Sequence, residues 1–136
     1  MPLDFAPTLP CTFSSNARVT AVYLDTLPGS QPGDPSGPRI SLEVTRAGAR
    51  LYLLSQTRIE VRSSAIPLSS HPLRATLEAD PPIEAAGFAG PAGTGDEIAY
   101  LRWRRDGITT ELLATLSPTF TEDDVVRVAR ALMATP

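Results

Sequence analysis

Lysine is missing from this chain: its 12 basic residues are all arginine. That absence removes Schiff-base chemistry, a phosphate-loop lysine and a lysine general base together. Histidine and cysteine occur once each, as His71 and Cys11. No intrachain disulfide can form, and a zinc set would have to recruit carboxylates in no recognisable spacing. His71 precedes Pro72 in a Ser69-Ser70-His71-Pro72 segment that reads as a loop, nothing in the spacing joins it to Cys11 as a dyad, and no serine sits in a nucleophile elbow. The sequence therefore predicts no catalytic, cofactor-binding or metal-binding residues. Long apolar runs are also lacking: none approaches the ~18 residues that cross a bilayer, so no transmembrane segment is expected. The first residues show no charged-then-apolar signal pattern. As written the chain reads as cytoplasmic, and as extracytoplasmic if a signal or anchor has been removed. Asparagine occurs only at Asn16 while alanine and proline are plentiful, a usage that points to a GC-rich bacterial genome.

What is present is an ordinary globular composition. Apolar residues make up 42% and charged residues 20% of 136 positions, enough for one domain with its own core. The formal charge of -3 carries no strong field. Arg102, Arg104 and Arg105 beside Trp103 form the only basic cluster of note, too sparse a footprint for nucleic acid.

The last forty or so residues are the most legible. Residues 97–105, an Asp106-Gly107 turn and residues 108–116 specify a β-hairpin, because a two-residue Asp-Gly loop favours a type I′ turn and sets the register on both sides. Arg105 should face Ile108, Trp103 Thr110, Leu101 Leu112 and Ala99 Ala114 on one face. Arg104 with Thr109, Arg102 with Glu111 and Tyr100 with Leu113 should share the other, wetter face, where Arg102 and Glu111 could pair their charges. A helix is predicted from Glu122 to about Ala134. Thr121 can cap it, Asp124 stands in the capping-box position, and Phe120 can staple onto Val125. Glu122, Asp123 and Asp124 suit the positive end of the helix dipole; three successive side chains splay around the axis, so they are read as dipole partners rather than a cation site. Val125, Val128, Ala129, Leu132 and Met133 make one apolar stripe that must pack on something.

Upstream, residues 1–16 read as an extended lead-in with three prolines in 2–15 and no periodicity. Residues 18–24 should be a strand that is apolar on both faces. Residues 25–38, DTLPGSQPGDPSGP, read as a long Pro/Gly-rich loop. Residues 39–45 alternate as a half-buried strand, Ala47-Gly48 offers a turn, and 50–54 and 57–62 follow as strands with Ser55-Gln56 as a bulge or turn between them. Residues 73–78 form a further candidate strand, broken by Asp80-Pro81-Pro82. Residues 87–95, GFAGPAGTG, share only composition with a phosphate loop, since no helix and no Gly-Lys-Ser/Thr follows; a flexible connector is expected.

Trp103, the tight turn at Gly107, the strand ending near Leu116, the Thr121-Glu122-Asp123-Asp124 helix start and the helix residues Ala129 and Leu132 together resemble the C-terminal end of extracytoplasmic bacterial domains attached to anti-sigma factors, and of related half-barrel lipoprotein-carrier-like proteins. The resemblance covers about 40 residues. It implies a curved antiparallel sheet wrapped around one or more helices, able to enclose an apolar pocket, although this chain lacks the clear N-terminal helix of that pattern. Pattern and resemblance together predict an α+β domain spanning 1–136: an antiparallel sheet of about six or seven strands with one C-terminal helix packed across it. The expected function is a non-enzymatic binding or interaction module for an apolar small molecule or a protein partner, using the concave sheet face or an exposed strand edge. The alternatives are a small hydrolase-like enzyme with an unrecognised site and a structural domain of a larger protein.

Overall fold

A computed structural model of the chain describes residues 3, 5–7, 17–29, 32–60, 67–79, 81–93 and 95–133. Seven strands, β1 (Ala17–Leu27), β2 (Gly37–Arg46), β3 (Ala49–Thr57), β4 (His71–Ala79), β5 (Pro82–Pro91), β6 (Glu97–Arg105) and β7 (Ile108–Thr115), precede one helix, α1 (Glu122–Met133). The strands form a single sheet in the order β1-β2-β3-β7-β6-β5-β4, every neighbouring pair antiparallel. The molecule is thus an α+β fold, an open antiparallel sheet with β1 and β4 at its edges and a C-terminal helix.

The β6–β7 hairpin has the register that its turn dictates. Trp103 faces Thr110, Leu101 faces Leu112, Ala99 faces Ala114, and Arg102 faces Glu111. Asp106 and Gly107 both have positive φ, 52° and 77°, as a type I′ turn requires; Ala47 and Gly48 repeat the pair at 53° and 78° between β2 and β3. On the other face of the hairpin one expectation is corrected. Arg102 and Glu111 do stand opposite, but the Glu111 carboxylate accepts the Tyr100 hydroxyl, and Arg102 is in no ion pair among the described residues.

One face of the sheet carries the core. Leu42, Leu54, Leu112 and Leu101 lie in a single cross-strand row, all buried, and the next row is Val44, Tyr52, Ala114, Ala99 and Ala89. The helix adds Val125, Ala129, Leu132 and Met133 to this cluster, with Phe120 stacked on Tyr52 at 6.3 Å between ring centres. The connection into the helix is held from β2: Arg46 lies 5.9 Å from the Phe120 ring and donates to the Thr119 carbonyl. At the helix start the Asp124 carboxylate accepts from the Thr121 backbone N–H at 2.9 Å, the capping-box bond, and from the Thr121 hydroxyl.

The helix runs along the β4 edge. Glu122 meets His71 at the start of that strand, and Arg130 donates to the Thr76 carbonyl farther along it.

Several upstream expectations are corrected. The 25–38 segment is not loop throughout: Asp25 faces Arg39, Thr26 faces Pro38 and Leu27 faces Gly37, so only 28–36 connect the strands. The Asp25–Arg39 ion pair and the Thr57 hydroxyl bond to the Pro38 carbonyl anchor that extension, and Pro38 is tolerated as the second residue of its strand. Residues 50–54 and 57–62 are not two strands. β3 passes unbroken through Ser55 and Gln56, whose side chains meet Ser41 and Thr110 on neighbouring strands, and the chain bends at 58–59; residues 61–62 lie outside the described residues. His71 opens β4 instead of lying in a loop, and 87–91 belong to β5, not to a connector. Of the 1–16 lead-in, only 3 and 5–7 are described.

Candidate ligand site at the turn end of the core face

Where the core face approaches the Asp106-Gly107 turn, its side chains change character. Gln56, Thr110 and Trp103 form the last complete core-face row across β3, β7 and β6. Leu54, Leu112 and Leu101 lie two residues away along their strands on the same face, so Gln56 and Thr110 are polar residues in inward positions. They are 4% and 5% exposed, and the Gln56 amide reaches the Thr110 hydroxyl at 3.5 Å.

The helix ends beside this row. Leu132 and Met133 form one wall of a cleft of about 390 Å³, Trp103, Thr110 and Gln56 form its floor, and Phe5 to Pro7 form a lip. A volume in this range, roughly 300–1,000 Å³, is that of small-molecule clefts. Arg58 and Arg105 stand at the rim with Asp106. Arg58 lies 5.7 Å from the centre of the Phe5 ring, a cation–π contact that ties the lip to the end of β3. Arg105 donates to the Met133 carbonyl at 3.0 Å and lies 3.5 Å from the Glu78 carboxylate, so it caps the helix C-terminus from the sheet side. Arg104 donates to the Arg58 carbonyl at 3.2 Å and fixes the chain where it leaves β3. The cleft therefore has an apolar wall, a buried hydrogen-bonding pair in its floor and two guanidinium groups at its mouth.

His71 and the acidic helix start, weighed from the sequence as chemistry-bearing groups, lie apart from this cleft's lining. His71 Nε2 is 2.9 Å from Glu122 Oε1, both side chains substantially exposed, in a contact joining the first residue of β4 to the first of the helix. Asp124 is taken by Thr121 and, at 2.7 Å, by Arg127; the Thr121 backbone N–H is the main reason its carboxyl is held below the usual range. Two of the three acidic side chains at the helix start are thus committed within the chain. Cys11 lies outside the described residues.

Sequence reasoning misses Gln56 because Ser55-Gln56 reads as a bulge or turn, and Arg58 because residues 57–62 read as a separate strand. The signal was available: Tyr52, Leu54 and Gln56 keep one parity, which places the glutamine inward. Among the described residues no helix is long and apolar enough to cross a membrane. Comparison with protein-family models, with curated proteins and with solved structures returns no match.

Proposed function

We propose that the chain is a non-enzymatic binding domain that takes a small molecule with an apolar body and a polar or anionic end in the cleft between the helix and the β3–β7–β6 row. The observation that carries this reading is the buried Gln56–Thr110 pair set beside Trp103, Leu132 and Met133 in one concavity. Apolar walls supply affinity through area removed from water, and a few placed polar groups orient the ligand. Arg58 and Arg105 offer guanidinium donors to a polar or anionic end at the mouth, where Arg105 also meets Glu78 and Asp106.

Trp103 is the only tryptophan in the chain and lies in the cleft, so its fluorescence reports occupancy directly. A medium-chain fatty acid titrated into the protein is expected to change that emission saturably, and the corresponding alcohol to bind more weakly. Ile108→Phe, which narrows the mouth from a half-buried position in the lining, should weaken the response at least tenfold while leaving the melting temperature close to wild type. A response that is absent, or the same in wild type and Ile108→Phe, would remove the cleft as the binding site.

A further inference from the structure

The two edges of the sheet are treated differently. β4 is contacted by the helix, with Glu122 on His71 and Arg130 on the Thr76 carbonyl, whereas β1 has β2 on one side and no described strand on the other. Val19, Val22, Tyr23 and Leu24 are 39%, 57%, 51% and 58% exposed. Val19, Val22 and Leu24 share the core side, facing Val44, Leu42 and Ile40, while Tyr23 faces Ser41 on the opposite side. Apolar side chains exposed on both faces of one edge are not covered by a helix, which lies on a single face. An added strand covers both, because its side chains alternate. Such edges are ordinarily blunted by charge or proline, and residues 19–24, VTAVYL, carry neither.

The charges lie at the ends of that run, Arg18 before it and Asp25 after it, both on the outer face opposite Thr45 and Arg39. Opposite signs at opposite ends match an antiparallel copy of the same strand. A two-fold axis perpendicular to the sheet leaves each side chain on its own face, so it must pass through a residue that pairs with itself. With the axis at Val22, that residue faces its own copy and Ala21 faces Tyr23. The ladder with β2 skips Thr20, passing from Val19–Val44 to Ala21–Glu43. Carried to the outer side, the same bulge brings Val19 opposite Leu24 and Arg18 opposite Asp25, face matched to face. Without the bulge Val19 would meet Asp25. Asp25 accepts from Arg39 Nε at 3.0 Å, and a carboxylate has room for a second guanidinium. Arg18 is in no ion pair among the described residues.

We infer that β1 is a self-association edge: two copies of the chain join antiparallel through β1 about a two-fold axis at Val22, making one continuous sheet closed at its ends by two Arg18–Asp25 pairs. The inference is independent of the ligand cleft, which no residue of β1 lines. Sedimentation and light scattering across a concentration series test it. The expected mass rises from the monomer's 14.5 kDa toward twice that value. Val22→Lys sets two like charges face to face on the axis and should leave the monomer mass throughout, with its melting temperature at low concentration matching that of wild type. The register is tested separately in a Cys11→Ser background, where Val22→Cys should form an interchain disulfide faster than Tyr23→Cys or Leu24→Cys, whose partners are not their own copies. A monomer at every concentration, a dimer indifferent to Val22→Lys, or preferential crosslinking at Leu24→Cys would each overturn the inference.

Discussion

Tyr52 shows what a single buried residue does to the pH range of the fold. The residue is 3% exposed, and burial pushes its phenol from the ordinary 10.0 up to about 12. Tyr100 is raised as well, by burial first and then by its hydrogen bond to the Glu111 carboxylate. A group that holds its proton more tightly when folded adds stability that is complete below its unfolded value and is lost as pH climbs toward the folded one. Stability should therefore fall between about pH 10 and pH 12, and with no lysine in the chain the tyrosines dominate that window. Tyr52→Phe keeps the ring against Phe120 and removes the titration, so its melting temperature should decline less steeply over the same window. Parallel curves for the two proteins would sink this account. At the same scale, Gly87 had no legible role in sequence. A Cβ there would sit 1.7 Å from the Tyr100 carbonyl oxygen, so the position admits glycine because a neighbouring strand lies against it.

Among the elements, the hairpin and the helix start were legible because their determinants are local. Asp106-Gly107 selects a turn, the turn selects a register, and Thr121 with Asp124 selects a helix start. β5 was not legible. Its run PIEAAGFAGP has little of the β-branched content that marks strands, and its buried members are the small residues Ala85, Ala89 and Gly90. What makes it a strand is pairing with β4 and β6 on either side. The 28–36 connection is the element-scale counterpart: both flanks are in the ladder, and closing a loop costs only slightly more as it lengthens. Replacing 28–36 with a short turn is expected to leave the unfolding free energy within about 1 kcal/mol of wild type. Removing all of 25–38 should cost more, since Asp25 and its pair with Arg39 go with it. Equal effects from the two deletions, read by denaturant titration, would show that the strand extension contributes nothing.

For the whole molecule, the helix is the second layer over the core face, and it does three things from one position: it buries the sheet's central rows, contacts the β4 edge strand and walls the cleft. Leu132 takes part in the first and the last. Leu132→Asp should unfold the domain, because an unpaired carboxylate in that cluster costs several kcal/mol against a total stability of about 5–15 kcal/mol. An unchanged melting temperature would mean that the helix is not docked where the structure has it. The amino-acid sequence by itself determined the antiparallel α+β plan, the hairpin register and the apolar stripe of the helix, since turn chemistry, period and caps act over a few neighbouring residues. Only the tertiary structure decided that Gln56 lies beside Thr110, that His71 opens a strand, that β5 is a strand at all and that β1 is the edge left open. Those outcomes depend on which strands lie side by side, and pairing partners as far apart in the chain as Gln56 and Thr110 leave no local trace.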